Sequence, residues 1–566
     1  MNFSRRDILK GMGAAGLTPL IAAGCDSSSD GSGGTGGSPL PPLPELPEYE
    51  WDGPIGPENL FEHGVASGDP LSDGVILWTR VTPEVAEPVE VWWEMALDED
   101  FLERTAQGTL TTDASRDFTA KVDVPGLVWG RNYFYRFAVQ DVPGLVWGRN
   151  YFYRFAVQGR WSATGRTRLA PKSDEVSKLR FGVCSCANYG FGYFYGFRHL
   201  AARADLDAIL HLGDYFYEYG NGTFPTEEEQ LRMLEPPHET VTLEDYRMRF
   251  SLYRRDADLQ ECHRQHPFIV VWDDHETANN SWMGGAQNHD PETEGSWPDR
   301  VAAARQAFFE WIPIRDNTGQ QLYRTLKYGD LADIIMLDTR IEGREEQFPL
   351  LVFPADEPSL PANLISAEQE TWLQDQLFDS TAKWKILGNQ VVMSLWQFVN
   401  PDGSKTNANS DQWNGYREGR ERLMTFLREN DILNTVVITG DVHSSWAMDV
   451  TFGDGSYNPE TREGALGVEF VASGITSPPE IPQQILDAFI SQSAHIRYAE
   501  AAHRGYFVLD LQAEKAQADW YLLDGIGEND GAEMLDASWA ALDGENHVTE
   551  MSSPETPNDD APNAAS

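Results

Sequence analysis

Six apolar, strand-like runs in this chain are each followed directly by side chains that bind metals or transfer protons. The runs and the residues after them are LRFGV and CSCANY, DAILHL and GDYFY, FIVVW and DDHETANN, DIIML and DTR, WKIL and GNQ, and TVVIT and GDVHSS. Each pairing alone is weak, but so many carboxylates in one cleft would repel one another unless a cation neutralised them. The pattern predicts a metal centre built from Cys186, Asp214, Tyr217, Asp273, Asp274, His275, Asn280, Asp338, Asn389, Asp441 and His443.

The elements that must position these side chains follow from the pattern of hydrophobic residues. Beyond residue 172, apolar runs alternate with amphipathic stretches such as GFRHLAARADL and RLMTFLREN, which is typical of an α/β fold with a buried sheet. Loops at the carboxyl ends of neighbouring strands in such folds meet at one crevice. We therefore expect a catalytic α/β domain over residues 173–524, with the candidate ligands gathered at one edge of its sheet.

Residues 51–172 predict a separate all-β domain, because short apolar segments such as GVILWTR and VEVWWEMAL alternate with turn residues. The eighteen residues DVPGLVWGRNYFYRFAVQ occur twice without change over 123–158. In the first copy Tyr133, Tyr135, Phe137 and Val139 would share one face of a strand, as in a fibronectin- or immunoglobulin-like module. Two identical copies are too few for a repeat architecture, so we expect one copy to form the strand and the other a loop or an edge hairpin. Because eighteen is even, the pleat does not discriminate between the copies.

The N-terminal segment indicates export. Residues 4–10 read SRRDILK, and the apolar run from Gly11 to Gly24 is too short to span a bilayer. Residues 1–25 thus resemble a twin-arginine signal, which predicts export of the folded protein by the twin-arginine translocase to the periplasm or the extracellular space. The run ends in IAAGC, so a lipid anchor on Cys25 and ordinary signal cleavage nearby are both open. Residues 26–50 form a linker rich in Ser, Gly and Pro.

Composition narrows the class of partner. The 566 residues carry a formal net charge of -46, which argues against bulk binding of nucleic acid because the phosphate backbone would be repelled. Besides Cys25 the chain has Cys184, Cys186 and Cys262, too few and too close for a disulfide framework, and we interpret Cys184 as a core residue. The acidic tail, residues 525–566, is expected to be largely disordered apart from a helical patch near residues 534–542. We expect a monomer.

The strand-end motifs resemble a known family. GDYFY, DDHE and GDVH, together with FEHGVASGDPLSDGVILWTR and SCANYGFGYF, are similar to motifs of the alkaline phosphatase D (PhoD) family, and the similarity runs from about Phe61 to about Tyr521. The resemblance implies a metallophosphatase-type β-sandwich flanked by helices, and Fe³⁺ and Ca²⁺ as cofactors. It implies that Cys186, Asp214, Tyr217 and His443 ligate iron, and that Asp214, Asp274, Asp441 and Asn280 lie on the calcium side.

The same resemblance implies an exported alkaline phosphatase that releases inorganic phosphate from small organic phosphate monoesters. An oxygen held by the metals would attack phosphorus in line, at a centre that includes Asp214 and Asp274. His275 would protonate the leaving group or bind the phosphoryl oxygen, and Glu276 and Asp273 would orient the loop and its histidine. Arg340 would clamp phosphate or form a structural ion pair, and both alternatives are open.

Two other functions are open at this stage. A phosphodiesterase or phospholipase D-type hydrolase would use the same metals in a wider pocket. A surface-binding lipoprotein with a degenerate site is the alternative of another class, and the chemically intact set of donors weighs against it.

Overall fold

The computed structural model describes residues 46–125, 150–172, 176–317, 319–453, 455–479, 481–557 and 564–565. The strands of the N-terminal part are β1 (Val65–Gly68), β2 (Val75–Arg80), β3 (Val89–Ala96), β4 (Arg104–Thr112), β5 (Thr119–Val124), β6 (Tyr151–Val157), β7 (Arg160–Trp161) and β8 (Gly165–Thr167). They are followed by β9 (Lys178–Cys184), β10 (Ala208–His211), β11 (Pro267–Val270), β12 (Arg324–Tyr328), β13 (Ala332–Met336), β14 (Val352–Pro354), β15 (Trp384–Asn389), β16 (Gln397–Val399) and β17 (Lys405–Ala408). The remaining strands are β18 (Thr435–Thr439), β19 (Ser445–Thr451), β20 (Ala465–Val471), β21 (Ile496–Glu500), β22 (Gly505–Gln512), β23 (Lys515–Leu523), β24 (Glu533–Leu542) and β25 (Val548–Glu550). The α-helices are α1 (Tyr195–Ala202), α2 (Leu243–Arg254), α3 (Ala257–Gln265), α4 (Trp297–Trp311), α5 (Ala367–Asp379), α6 (Arg417–Glu429) and α7 (Gln483–Gln492).

Two large mixed sheets pack face to face. One has ten strands in the order β25-β24-β23-β22-β9-β10-β11-β1-β2-β5, and the other has seven in the order β12-β13-β15-β18-β20-β19-β21. Their facing sides share one buried apolar cluster, to which Phe181 and Phe507 contribute from the first sheet and Ile386 and Phe470 from the second. Burial of this cluster is the main stabilising contribution that holds the two sheets together.

Helices cover the outer faces of both sheets. Helices α1 to α4 supply residues such as Phe197, Phe250 and Phe308 to a second cluster on the outer face of the ten-stranded sheet. Helices α5 and α6 supply Leu373 and Leu423 to a third cluster on the outer face of the seven-stranded sheet. The result is a layered α/β fold in which strands are buried on both faces, as their near-continuous apolar sequences predict.

Parallel strands at the centre of each sheet place the predicted site. β10 pairs in parallel with both β9 and β11, and β15 pairs in parallel with both β13 and β18. Parallel neighbours end at the same edge, so the loops that leave these strands lie together. All six runs singled out in the sequence belong to this set of strands.

The N-terminal part is all-β, but one of its sheets is continuous with the catalytic domain. β1 pairs in parallel with β11, and the registers Ser67 with Pro267 and Gly68 with Phe268 extend the ten-stranded sheet to β2 and β5. β3, β4, β6, β7 and β8 form a separate five-stranded sheet that packs against β1, β2 and β5 over its own apolar cluster. Strands from both sides of the predicted boundary near residue 172 therefore belong to one sheet. Strands that are distant in the chain can pair, so the boundary in the sequence does not separate the sheets.

The second copy of the duplicated segment forms the strand. β6 has the sequence YFYRFAV, and it pairs with β3, β7 and β8. Tyr151, Tyr153 and Phe155 are each 0% exposed and Val157 is 1% exposed, so the alternate residues share the buried face. The first copy contributes Asp123 and Val124 to β5, and its Tyr133, Tyr135, Phe137 and Val139 lie outside the described residues.

The prediction of a largely disordered tail with a helical patch is wrong for residues 533–550. Residues 533–542 form β24, which pairs with β23 along its whole length, and β25 adds one further strand. Trp539 and Ala541 of β24 enter the cluster between the two large sheets. The segment EMLDASWAAL favours a helix by local propensity, but the open edge of β23 and a buried apolar face override that preference.

The predicted export signal and lipid-attachment residue, residues 1–25, and most of the linker lie outside the described residues. No helix within the described ranges is long and apolar enough to cross a membrane.

Candidate metal centre and substrate cavity

The predicted ligands lie in loops whose backbones are tied to one another. The amide of Cys186, after β9, donates to the carbonyl of Gly213 at 3.2 Å, after β10. Gly213 has φ 103°, and a Cβ at this position would lie 2.5 Å from Cβ of Asp273 in the loop after β11. Only glycine fits there, so the Gly-Asp dipeptide is a packing requirement as well as a turn.

Several candidate ligands have backbone angles that ordinary side chains avoid. The φ values are 56° at Cys186, 52° at Asp214, 52° at Asn280, 65° at Asp441 and 49° at His443. Left-handed backbone costs roughly 1 to 3 kcal/mol at a non-glycine residue and persists where the surroundings enforce it. Its concentration here indicates that the loops hold their side chains in fixed positions for a purpose other than stability.

One part of the site, which we call the thiol corner, consists of Cys186, Asp214, Tyr217 and His443. Ligand atoms of Cys186, Asp214 and His443 all lie within 4.8 Å of one another. Tyr217 Oη lies 2.9 Å from Asp214 Oδ2 and 2.9 Å from His443 Nε2. A sulfur, a nitrogen and two kinds of oxygen thus converge on one small volume.

The protons of the thiol corner are too few for its acceptors. His443 Nδ1 lies 2.8 Å from the carbonyl oxygen of Pro478 and must donate to it, so Nε2 of the neutral ring is an acceptor. Asp214 Oδ2 is also an acceptor, and the single phenolic proton of Tyr217 satisfies only one of the two. A bound cation would complete this arrangement, with Tyr217 ionised.

The other part, which we call the carboxylate corner, consists of Asp273, Asp274 and Asp441. Their ligand atoms lie within 4.8 Å of one another, and Asp214 and Asp274 form a further group with His275 that links the two corners. Asp441 accepts a hydrogen bond from Gln412 Nε2 at 2.6 Å, and Asp274 accepts one from the amide of Asn280 at 2.6 Å. Only oxygen ligands meet in this corner, which suits a hard divalent cation such as Ca²⁺.

Arg340 lies in a buried ion-pair network, in line with the structural alternative that the sequence left open, and binding of phosphate by Arg340 stays a prediction. Its side chain is 0% exposed. The guanidinium donates to Asp273, to both carboxylate oxygens of Asp411 at 2.9 and 2.8 Å, and to Asp441 at 2.6 Å. Its Nη2 also lies 3.6 Å from Asp274 Oδ1. The four surrounding carboxylates therefore engage the group that a phosphate would need.

His275 is held by a residue that sequence reasoning missed. Its Nδ1 lies 2.6 Å from Oε2 of Glu218, which is 0% exposed and follows the GDYFY motif directly. The other carboxylate oxygen of Glu218 accepts from the amide of Asn279 at 2.7 Å and from Nδ2 of Asn288 at 2.8 Å. Glu218 fixes the ring, and Nε2 is the ring nitrogen left for a group in the cavity. An acidic residue next to a ligand motif was the one sequence signal for this role.

Glu276 holds two ligand loops together. Its carboxylate accepts hydrogen bonds from the amides of Tyr215 at 2.5 Å, Asp214 at 3.1 Å and Asp273 at 2.8 Å. This contact agrees with the prediction that Glu276 orients the loop, whereas the histidine is oriented by Glu218.

Burial shifts the pKa values of Cys186, Tyr217 and Asp214 in the direction that a bound cation would reverse. Burial, reinforced by the charge of Asp214, raises the pKa of the Cys186 thiol well above its ordinary value, and burial likewise raises the pKa values of Tyr217 and Asp214. Burial of Asp274 opposes ionisation, but Arg340 and then His275 lower its pKa to about 2. Burial lowers the pKa of His443 to about 3, which keeps the imidazole neutral as a metal ligand must be.

The residues present fit a metal centre. Asp214 Oδ1, Asp273 Oδ2 and Asp274 Oδ1 are buried and have no hydrogen-bond partner among the described residues. Asp274 Oδ1 has an ion-pair contact with Arg340 at 3.6 Å but no hydrogen bond. Buried carboxylate oxygens without hydrogen bonds are costly, and cations surrounded by these donors would explain all three. Ligation itself stays a prediction for every residue of the two corners.

The remaining candidates have other surroundings. Asp338 Oδ1 accepts from the amides of Arg340 and Ile341, which makes it the cap of a turn. Asn389 contacts Val391, Thr439 and Trp413 through its amide. Cys184 is buried in the cluster beneath α1 to α4, in agreement with its interpretation as a core residue.

Asn280 contributes its backbone amide to Asp274 and directs its side-chain amide to Gln287 Oε1 at 2.6 Å. The structure also adds Ser477, whose Oγ lies 2.7 Å from Tyr217 Oη, and Asp411, the bidentate partner of Arg340. Neither Ser477 nor Asp411 had a signal in the sequence, because both reach the site from loops without a motif.

A cavity of about 650 Å³ opens above both corners. Asp214, Asp274, His275, Asp441 and His443 form its floor, and its walls include Trp282, Phe348, Pro349 and Leu351. A phosphoryl group on the floor would therefore lie next to both predicted cation positions and to His275.

Comparison with known proteins gives consistent results. The model described as PhoD-like phosphatase matches residues 181–520, and the model of the N-terminal domain of PhoD-like phosphatases matches residues 54–143. Alkaline phosphatase D of Bacillus subtilis (strain 168) is 34% identical over 508 residues, which cover 85% of this chain and 80% of that protein.

Solved structures agree with these matches. The structure of PhoD is similar with a TM-score of 0.77 at 31% identity, covering 90% of this chain and 94% of that chain. The purple acid phosphatase PPD1 of yellow lupin (Lupinus luteus) seeds is similar with a TM-score of 0.53 at 13% identity, covering 84% and 73%, and shows a shared fold alone. These similarities confirm the predicted fold class, an α/β metallophosphatase-type sandwich preceded by an all-β segment.

Proposed function

The chain belongs to the PhoD-like phosphatase family, and from that premise we propose that this metal-dependent alkaline phosphatase hydrolyses small phosphate monoesters with release of inorganic phosphate. The observation that carries the proposal is the pair of donor clusters joined by Asp214 on the floor of an open cavity. A phosphate ester is the ligand that such a floor, once loaded with cations, would attract.

The proposal assigns different metals to the two corners. Cys186, Asp214, Tyr217 and His443 would hold Fe³⁺, because thiolate and phenolate ligands stabilise the ferric state, and Asp214, Asp274 and Asp441 would hold Ca²⁺, with Asn280 as a further candidate. When bound, these cations would supply Lewis-acid stabilisation of phosphoryl oxygens and a nucleophile at the pH of the reaction.

Residues of the chain would position the floor of the cavity and supply the proton. Glu276 holds the loops that carry Asp214 and Asp273 at a fixed separation, so that the floor is formed before substrate arrives. Burial opposes protonation of His275, but the charges of Glu218, Asp274 and Asp214 raise its pKa well above the ordinary value, so both ring nitrogens carry protons. Nδ1 donates to Glu218, and Nε2 is left to donate to a phosphoryl oxygen or to the departing ester oxygen. Tyr219, whose ring centre lies 5.4 Å from that of His275, packs beside the imidazole and limits its rotation.

The two other functions left open by the sequence, a surface-binding protein and a phosphodiesterase, now differ in their support. The intact donors and the membership in a phosphatase family remove the support for a non-catalytic surface-binding protein. The volume of about 650 Å³ exceeds what one phosphoryl group fills, which keeps phosphodiesters as a second class of substrate to test.

Export is the second part of the proposal. We infer from SRRDILK that the folded protein passes through the twin-arginine translocase to the periplasm or beyond, and that either Cys25 is lipidated or ordinary signal cleavage occurs nearby. Replacing Arg5 and Arg6 together by Lys should retain the protein in the cytoplasm. Cell fractionation and mass spectrometry of the mature N-terminus would measure both points, and unchanged export of the Lys variant would contradict the route.

The catalytic proposal is tested by assaying the full, metal-loaded protein on p-nitrophenyl phosphate and bis(p-nitrophenyl) phosphate side by side. We expect turnover of the monoester, and the Asp214→Asn variant serves as the control for contaminating activity. Turnover of the diester alone would assign the protein to the phosphodiesterases, and the absence of both activities in a protein with its full metal content would contradict the proposal.

A further inference from the structure

The wall of the substrate cavity differs sharply from its floor. Trp282, Phe348, Pro349 and Leu351 contribute apolar surface to it, on two loops that meet where the amide of Met283 donates to the carbonyl of Arg344 at 3.0 Å. These side chains lie beside the position of the phosphoryl group, where the alcohol part of an ester would extend. Their surface is therefore available to the substrate rather than to the protein core.

The apolar wall continues to the outer surface of the protein. Met283 is 62% exposed, Leu350 is 56% exposed, Leu351 is 68% exposed and Val352 is 59% exposed. Exposed apolar residues grouped beside residues that line a cavity often mark a ligand-binding site. Leu351 itself lines the cavity, and Met283, Leu350 and Val352 are the sequence neighbours of the lining residues Trp282 and Leu351. We call these residues, together with Phe348 and Pro349, the apolar band.

The cavity offers no cation to a second anionic group. None of the described residues that line it is Lys or Arg, and the wall carries the exposed carboxylate of Glu346. The nearby Arg340 and Arg344 are 0% exposed and are engaged by Asp411 and its neighbours. The formal net charge of the chain, -46, adds to the repulsion of polyanions.

From the apolar band and the missing cations we propose that the cavity selects phosphate monoesters whose alcohol part is apolar and carries no second anionic group. The inference rests on the phosphatase activity proposed above and names its substrate class. Trp282, Phe348 and Leu351 favour the alcohol part by contact, and Glu346 disfavours a second negative charge. The phosphoryl group itself is recognised by the floor in all cases.

Three esters that differ only in the alcohol test the inference: methyl phosphate, n-hexyl phosphate and 6-phosphonohexyl phosphate. Their leaving groups are all primary alcohols, and the phosphonate is a second anion that the enzyme cannot hydrolyse. We expect kcat/KM for the hexyl ester to exceed that for the methyl ester by about tenfold, mainly through KM, as burial of two methylenes would give. We expect kcat/KM for 6-phosphonohexyl phosphate to be about tenfold lower than that for n-hexyl phosphate at low salt, and the difference to be smaller at high salt.

Two variants assign the effects to the wall. Leu351→Ser should lower the ratio of kcat/KM for hexyl phosphate to kcat/KM for methyl phosphate several-fold, whereas Leu102→Ser, at a leucine 82% exposed in the N-terminal part, should leave both values unchanged. Glu346→Gln should reduce the decrease in kcat/KM that the phosphonate group causes. Glu228→Gln, at an exposed glutamate that does not line the cavity, makes the same change in net charge and should have no effect.

The outcomes separate the inference from the function on which it rests. Equal kcat/KM values for methyl and hexyl phosphate, or a ratio that Leu351→Ser leaves unchanged, would overturn the selection by an apolar wall while the phosphatase activity stands. A phosphonate ester hydrolysed as fast as the hexyl ester would overturn the exclusion of a second anion. Absence of turnover on all three esters would contradict the proposed function, and the inference would fall with it.

Discussion

The two corners of the metal centre lie side by side, yet they compensate their negative charge in different ways. The carboxylate corner already holds the buried guanidinium of Arg340, which pairs with Asp273 and Asp441. In the thiol corner the same burial raises the pKa values of Cys186 and Tyr217, and no basic side chain donates to Asp214, Tyr217 or Cys186 within the described residues.

This difference implies that the two corners would bind their cations with unequal affinity. The thiol corner needs a metal to ionise its thiol and phenol, so a cation bound there would be held tightly. The carboxylate corner is partly neutralised without metal, so a cation there would be weaker and exchangeable. Substitutions in each corner test this difference in affinity.

The largest effect is expected from Asp214→Asn, because Asp214 belongs to donor groups on both sides of the contrast. Loss of the shared carboxylate should reduce kcat/KM by about 10³-fold or more, since both cations would lose a charged ligand. Steady-state assays of monoester hydrolysis would measure the loss. Asp530→Asn, at a side chain 95% exposed, should leave kcat/KM unchanged, and a decrease of less than tenfold in Asp214→Asn would contradict a shared ligand.

Arg340→Met removes the one cation that distinguishes the carboxylate corner. Asp273, Asp411 and Asp441 would then be buried without their partner, so the free energy of unfolding should fall by about 3 to 5 kcal/mol. Urea denaturation would measure the change. Arg422→Met, which breaks the half-exposed pair with Glu370, should cost at most about 1 kcal/mol, and equal losses in both variants would show that the buried network has no special role.

Two single substitutions address the corners separately. Cys186→Ser should remove the thiolate-to-iron absorption and lower activity by about 10²-fold, because a serine hydroxyl is too weak a ligand to retain iron. Asp441→Asn should lower activity by a similar factor and keep the absorption. Visible spectra of the two purified variants would check both statements, and loss of the absorption in Asp441→Asn would mean that the corners are not independent.

The smallest effect is expected from the duplicated segment, whose described residues Asp123, Val124 and 150–158 are not among those that form the two corners. Removing residues 141–158 leaves one copy, which can supply both the end of β5 and the whole of β6. The connection between these strands becomes eighteen residues shorter, so loop closure alone should increase the free energy of unfolding by about 1 kcal/mol. Metal content and kcat/KM should not change. Urea denaturation showing a loss of stability would mean that the first copy contributes structure of its own.

Much of this architecture could be predicted because it follows from short, local sequence patterns. Apolar runs followed by ligands identified β9, β10, β11, β13, β15 and β18, and parallel pairing brought their loops together as expected. Cys186, Asp214, Asp274, His275, Asp441 and His443 all fall within the donor groups for the same reason. Local pattern sufficed wherever a strand end and a motif coincide.

What could not be predicted depends on contacts between distant segments. Asp411 reaches Arg340 from 71 positions away, and without that contact the arginine is as suited to phosphate as to an ion pair. β24 was misjudged because its propensity is helical and its partner edge on β23 is invisible in the local sequence. The continuity of β1 with β11 likewise joins residues about 200 positions apart in the chain, so no boundary signal could reveal it.

The central claim is that the two corners hold two chemically different cations. Measuring iron and calcium by mass spectrometry in the wild-type protein and in Cys186→Ser and Asp441→Asn, each after dialysis against EGTA and reloading with calcium, tests it most directly. We expect iron and calcium in the wild type, calcium without iron in Cys186→Ser, and iron without calcium in Asp441→Asn. One metal species at both corners of the wild type, or loss of both metals together in each variant, would contradict it.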